Sequence, residues 1–348
     1  MFRLITTAIL IGQLIANAAQ ASCLNSNADT RLRTLCVAET LAGSAVTLND
    51  ALLLDTLLKR EGYAAGIGLP NNVARNSYEP YMTPILDYNT NINGGNPNRP
   101  LTLGTLTFTG DDENLKLEGV VAGLGAGIGG RSILGEGRYL DYGANISYAH
   151  SPEHDMGITR RSANICSRNH IENNWFFDGC ADASGLEREL AKDSTQGLTI
   201  STAKLFSTGS GAFHSTSVGV RRQFNETYEQ NQIQLGWNTV RNKGAYTGFN
   251  ASIGEAVPNQ LAQRQSLSAT VGTTVFDRAL TATAAYSYAD GGRLLGLERN
   301  DTTRSVSINY SVTTNFSVSV GYRETDSNID YFSESEPTFS VRLAPIRF

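Results

Sequence analysis

Charge is scarce in this sequence: Asp, Glu, Lys and Arg make up 18% of its 348 residues, 28 basic against 33 acidic. Globular domains carry roughly 25%. The net charge of −5 comes without a basic block, which removes the electrostatic footing that a nucleic-acid-binding protein needs. No nucleic-acid partner is expected. Apolar residues reach only 40%, and there are four histidines and four cysteines. No phosphate loop, nucleophile elbow or paired-histidine zinc motif occurs, so neither an enzyme nor a bound cofactor or metal is expected. What the chain does have is 34 glycines among many Ser, Thr and Asn residues, a composition of β architecture rather than of a helical or dinucleotide-binding enzyme.

The first 21 residues predict a secretory signal peptide: Arg3 is the positive start, Leu4 to Ile15 the apolar stretch and Ala19-Gln20-Ala21 the cleavage site. That stretch is shorter than the ~18 apolar residues of a membrane anchor. The four cysteines fall as two pairs, Cys23 with Cys36 and Cys166 with Cys180, without the spacing of a zinc knuckle or a redox pair. In an exported chain disulfides are the natural expectation, each stapling a short segment.

Residues 22–75 form the one helical stretch, a helical hairpin within Asn27 to Arg60 that is a periplasmic element or a plug. Thr47 with Asp50 predicts a capping box, and Gly62 a helix stop. Residues 76–348 change to period two. Val306, Ile308, Tyr310 and Val312 alternate with Ser305, Ser307, Asn309 and Ser311, and the design recurs around Ile233, Leu267, Leu280 and Phe316. One face is greasy and the other small and polar. Alternating segments of about ten residues fit tilted strands crossing a bilayer, whereas soluble sandwiches use strands of about 5–6.

The expected fold is therefore all-β: a transmembrane antiparallel barrel of about fourteen strands. These begin near Tyr81, Leu101, Leu115, Gly137, His154, Gly197, Ala212, Asn231, Gly244, Arg264, Ala279, Thr302, Asn315 and Pro337. Outer connectors of such barrels are longer than periplasmic turns. Sorted that way, the long segment from Cys166 to Gln196 falls outside the cell. Trp175, Phe176 and Phe177 then become candidate contacts of a disulfide-stapled extracellular loop.

The final Phe348, with Ala344 and Ile346 on its face, resembles the last strand of Gram-negative outer-membrane β-barrels. The resemblance implies an outer-membrane location, contact with outer-membrane lipid, and recognition of that strand by the barrel assembly machinery. Phe339, Val341 and Leu343 lie on the opposite parity, which a bulge near Pro345 would reconcile. The opening segment, Pro80-Tyr81-Met82-Thr83-Pro84 followed by Asn89 to Gly95, resembles the first barrel strand of surface lipoprotein assembly modifiers. That likeness implies a lipoprotein-export role; the helical module of those proteins is much larger than the segment before Tyr81.

Gly125 to Gly130 matches a dinucleotide fingerprint in letters, but no amphipathic helix follows to hold a pyrophosphate, and a glycine-rich strand is the better expectation. His150 beside Ser151 and His214 beside Ser215 invite comparison with outer-membrane lipid hydrolases. Adjacent strand residues point to opposite faces, so neither pair meets. The acidic run Asp111-Asp112-Glu113 is expected to be a solvated turn. Function is therefore expected in the lumen, whose inferred lining includes Arg221, Arg323, Gln234, Asn238 and Asn309. A barrel of this size encloses a real cavity unless something fills it. A pore for a solute or polypeptide is the first expectation, a surface-interaction barrel using the stapled loop is the second, and lipid hydrolysis by His150 or His154 with a distant serine is the third. The helices offer a site for a periplasmic partner.

Overall fold

The computed structural model describes residues 23, 29–42, 48–63, 76–98, 100–103, 105–109, 111–209, 211–241 and 245–348. The signal peptide expected over residues 1–21 and the capping residue Thr47 lie outside them. Two helices, α1 (Thr30–Ala42) and α2 (Leu48–Arg60), precede a sheet closed on itself. Its wall strands are β1 (Asn76–Asn89), β4 (Gly119–Gly135), β5 (Arg138–Ser151), β6 (Met156–His170), β7 (Trp175–Glu187), β8 (Lys192–Thr208), β9 (Ala212–Asn225), β10 (Glu229–Arg241), β11 (Tyr246–Gly254), β12 (Ala262–Val275), β13 (Arg278–Leu294), β14 (Leu297–Ser311), β15 (Phe316–Ser327) and β16 (Glu334–Leu343). Each pairs antiparallel with its neighbour in sequence, and β1 closes the circle on β16 and on the short β17 (Ile346–Arg347). The result is a barrel of fourteen strands. Strand lengths run from 9 residues in β11 to 17 in β4, long enough to cross a bilayer at a tilt.

The expected strand number holds, but two of the expected segments exchange roles. The segment near Leu101 is a small hairpin, β2 (Pro100–Leu103) paired with β3 (Leu106–Thr109), outside the wall. The strand expected from Leu115 starts at Gly119. Conversely, Trp175–Glu187 is a full wall strand that pairs on both sides, not a loop. It was hidden because Gly179, Gly185 and the polar Asp178, Asp182, Ser184 and Glu187 blur the alternation that marks its neighbours.

This reassignment moves the cysteine hairpin to the other end of the molecule. Both β1 and the last strand have their chain-terminal ends at one rim, and the β6–β7 turn, residues 171–174, is at that same rim. The segment 90–118 lies at the opposite rim. The stapled segment is therefore at the end that holds both termini and not on the extracellular side. Cys166 and Cys180 are bonded to each other, as are Cys23 and Cys36. The first pair are register partners on adjacent strands, so the bridge is a rung of the wall.

Near the C-terminus the two parities are reconciled by one extra residue. On β1 four positions separate Leu86 from Met82, while their partners Val341 and Ile346 are five apart. The bulge falls at Ala344 and Pro345, where a missing N–H costs no ladder bond. Phe339, Val341 and Ile346 thereby share the outer face.

The alternation maps onto the two faces. Leu235 (49% exposed), Ile308 (45%) and Val320 (49%) present bare apolar side chains to the outside all round the barrel. A water-soluble protein does not carry an apolar surface of that extent. Aromatic side chains edge this band. Phe224, Tyr286 and Tyr322 stand toward the 90–118 rim, and Trp175, Phe177, Phe206, Trp237 and Phe249 toward the terminal rim. At the level of the first group the outer face turns ionic, with Arg304 bound to Asp326 at 2.7 Å and Arg222 bound to Glu229. The glycine-rich stretch is part of β4. A Cβ on Gly127 would stand 2.4 Å from the Tyr81 ring on β1, so the glycine is where an aromatic side chain lies flat against the wall.

Candidate functional site: an obstructed lumen

Inward positions are fixed by the residues that meet the helices. Phe176, Leu205, Phe213 and Val240, on β7 to β10, form one core with Cys23, Leu32, Cys36, Val37 and Leu57 of the helical segment. The hairpin is therefore seated inside the barrel at the terminal rim. Counting by twos from Phe213 and Val240, the inner face carries Arg221 on β9 and Gln234 and Asn238 on β10. Asn309 on β14 and Arg323 on β15 share a face with Ser305, Ser307, Ser319 and Gly321.

A chain of ion pairs ties the hairpin to the wall. Arg31 of α1 donates from both terminal nitrogens to the Asp178 carboxylate of β7, at 2.9 and 3.0 Å, with both side chains nearly buried. Arg168 on β6 donates to the same carboxylate at 2.9 Å. Next along the wall, Arg131 on β4 grips Asp141 on β5 and also donates to the Arg60 carbonyl of α2 at 2.8 Å. The Arg31 guanidinium sits 4.2 Å from the centre of the Phe176 ring, a cation–π contact made where water is excluded. Sequence reasoning missed this set because it placed Asp178 in a loop. The signal was there, in Asp141, Cys166, Arg168, Asp178 and Cys180 falling on one inward parity once β7 is recognised as a strand.

At the other rim, residues 90–118 cross the mouth as a strap. Ile92 is fully buried against the lumen residues Val121, Ala149 and Ile158. Arg188, in the β7–β8 turn, donates to the Asn91 carbonyl, and Leu190 donates its N–H to the Asn93 carbonyl. On the far side Asn98 donates to the carbonyls of Asp330, Tyr331 and Ser333, and Lys116 pairs with Glu334 at 3.3 Å and Glu336 at 3.5 Å. The strap is thus fastened to opposite sides of the rim.

One expected site keeps its place but has a partner, and another sits elsewhere than the sequence placed it. Arg221 is not a free lumen cation: it forms a two-point pair with Asp182 at 2.6 and 2.8 Å. Trp175 and Phe177 face outward in the aromatic edge of the terminal rim and Phe176 faces inward under Arg31, so the three do not form an extracellular contact surface. The histidines find other partners than serine. His150 lies 3.5 Å from Asp155, His154 meets the Glu118 carbonyl at 3.0 Å and His214 meets Thr239 at 2.9 Å. Asp112 to Glu113 lie in an exposed single turn of 3-10 helix.

An outward apolar band edged by aromatics, wrapped round a polar interior and closed without free edges, defines an outer-membrane β-barrel of the porin-like type. No protein-family model matches the sequence, and no curated protein matches it. Solved structures with a similar fold include OccAB4, the outer membrane protein OprD and OccK2 (OpdF). OccAB4 of Acinetobacter baumannii has 7% identity and a TM-score of 0.38, covering 78% of this chain and 98% of that one. OprD of Pseudomonas aeruginosa has 6% identity and a TM-score of 0.40, covering 79% and 94%. OccK2 (OpdF) of the same organism has 7% identity and a TM-score of 0.42, covering 78% and 98%. Likeness of that degree extends to neither family nor substrate.

Proposed function

We propose that the protein is an outer-membrane pore of a Gram-negative bacterium that passes hydrophilic solutes, with the helical hairpin narrowing its periplasmic end and the strap narrowing its outer mouth. The observation that carries this is the inner face of β12 to β15, lined by Ser268, Thr270, Thr283, Ser307, Asn309 and Ser319 beside a hairpin seated on β4 to β11. Small hydroxyls and amides leave space and hold water. The fourteen-strand wall encloses more room than the eight-strand barrels that side chains fill. With Arg221 neutralised by Asp182, Arg323 shares the inner face with Arg160 and Arg342, an arginine set that favours anions. The role implied by the resemblance of β1, export of a lipidated polypeptide, would need both obstructions to leave the lumen.

In planar bilayers the mature chain should conduct, and removal of residues 22–75 should raise its unitary conductance severalfold. A folded barrel that stayed electrically silent after that removal would defeat the pore. Outer-membrane lipid, the barrel assembly machinery acting on the strand that ends in Phe348, and a periplasmic partner reaching the hairpin are the contacts this role implies.

A further inference from the structure

Glu61 directly follows α2 where the hairpin meets the wall. The next residue, Gly62, has φ of 83°, its N–H bonds to the Lys59 carbonyl and the Tyr63 N–H reaches back to the Leu58 carbonyl, both at 3.0 Å. This is a left-handed helix stop. A Cβ on Gly62 would stand 2.5 Å from the Gly135 carbonyl of β4, so only glycine lets the helix end rest on the wall there. Glu61 itself is 4% exposed.

Its hydrogen-bond partner is unusual. Glu61 Oε1 lies 2.9 Å from Thr34 Oγ1, and that hydroxyl also lies 2.9 Å from the Thr30 carbonyl. The hydroxyl has one proton and the carbonyl has none to offer. With Thr34 donating to Thr30, the contact to Glu61 is a hydrogen bond only when the carboxyl supplies the proton. Two of the nearby cations are already engaged, Arg31 by Asp178 and Arg131 by Asp141. An ionised Glu61 would also sit at the negative end of α2.

We propose that Glu61 is a proton-binding latch: protonated, it lets the helical hairpin seat in the barrel, and ionised, it drives the hairpin out and widens the periplasmic end. The inference rests on the reading of the hairpin as a plug. Other charged and titratable groups facing this corner are Asp29, Arg31 and Arg33 from the α1 side, and Arg60 and Tyr63 at the end of α2. The wall adds Arg131 on β4, Glu136 in the β4–β5 turn, Tyr139 on β5 and His170 on β6. Burial pushes the Glu61 carboxyl up to about 7, Asp29 adds to the rise, and Arg31 and Arg131 pull against it. The sign follows: the seated state holds its full advantage below the ordinary carboxyl value of 4.5 and loses it as pH rises through about 7. Across that interval the ratio of seated to released hairpin changes by roughly 300-fold.

The test uses the full mature protein in detergent and two readouts that need no conductance. Infrared difference spectra should show a protonated carboxylic acid that titrates near 7 and is absent in Glu61→Gln. Hydrogen exchange of α1 and α2, corrected for the intrinsic rate, should accelerate by about two orders of magnitude as pH is raised from about 5 to about 9, and stay flat in Glu61→Gln. A glutamine variant that kept the wild-type profile, or a spectrum without the titrating band, would overturn the latch. Thr34→Val gives a second decision. If the carboxyl donates to Thr34, losing the acceptor lowers the midpoint; a raised midpoint means the hydroxyl donates to a carboxylate and the latch is wrong. A pore silent in bilayers with this exchange profile intact would count against the pore alone.

Discussion

Arg31→Ala is expected to unseat the helical hairpin and leave the barrel standing. Breaking a buried ion pair costs about 3–5 kcal/mol when the partner is left alone, but Asp178 keeps Arg168 at 2.9 Å. A loss of ~2–3 kcal/mol in seating is therefore expected, some 30- to 150-fold in the ratio of seated to released hairpin at about 1.4 kcal/mol per tenfold. It should appear as a higher open probability in bilayers and as new tryptic cleavage at Lys59 and Arg60, while the barrel's resistance to heat in detergent stays as it was. Arg31→Lys should recover little, because a single ammonium cannot reproduce two parallel bonds to one carboxylate. Asp178→Asn should act like Arg31→Ala, and the double variant should be little worse than either. Additive losses would show that Arg31 acts through its contacts with Phe176 and Tyr139 and not through the carboxylate.

The second large effect separates the two faces of one strand. Ile308→Arg places a guanidinium on the lipid face and should destabilise the barrel by ~2–4 kcal/mol, as cations do near the bilayer midplane. Asn309→Arg, one residue on, points into the lumen and should leave stability nearly unchanged while shifting the reversal potential toward anions. Urea titration of the folded fraction in lipid vesicles gives the first quantity, and a salt gradient across a planar bilayer gives the second. Equal stability losses at the two sites would mean that β14 does not separate oil from water.

How far this was legible in the sequence follows from the physics of each part. Strands such as β14 and β15 announce themselves, because every second residue is greasy over ten or more positions, and their inward faces could be assigned from parity alone. β7 does not, because its inward face must carry Asp178, Cys180 and Asp182 for contacts made far away in sequence, and its outward face opens with aromatics that resemble a loop's recognition residues. Counting the Leu101 hairpin as a wall strand inverted the cysteine hairpin, since one extra strand reverses the side of every turn up to the next compensating error. Missing β7 supplied that error, so the strand number survived. The helix stop at Gly62 was readable from a glycine after a basic last turn. What it brings together, Glu61 against Thr34 and the wall, depends on tertiary closure and left no local trace. The strap is of the same kind: Ile92 and Asn98 are ordinary loop residues until the barrel closes beneath them.

The central claim is that alternate side chains of a closed wall face lipid and water. Single cysteines introduced from Ser305 to Tyr310 test it most directly, since the protein's own four cysteines are held in disulfides. In lipid vesicles, cysteines at 305, 307 and 309 should react with a water-soluble thiol reagent delivered to the lumen, and fluorophores at 306, 308 and 310 should be quenched by brominated acyl chains. A uniform response along the six positions, or the opposite alternation, would contradict the barrel described here.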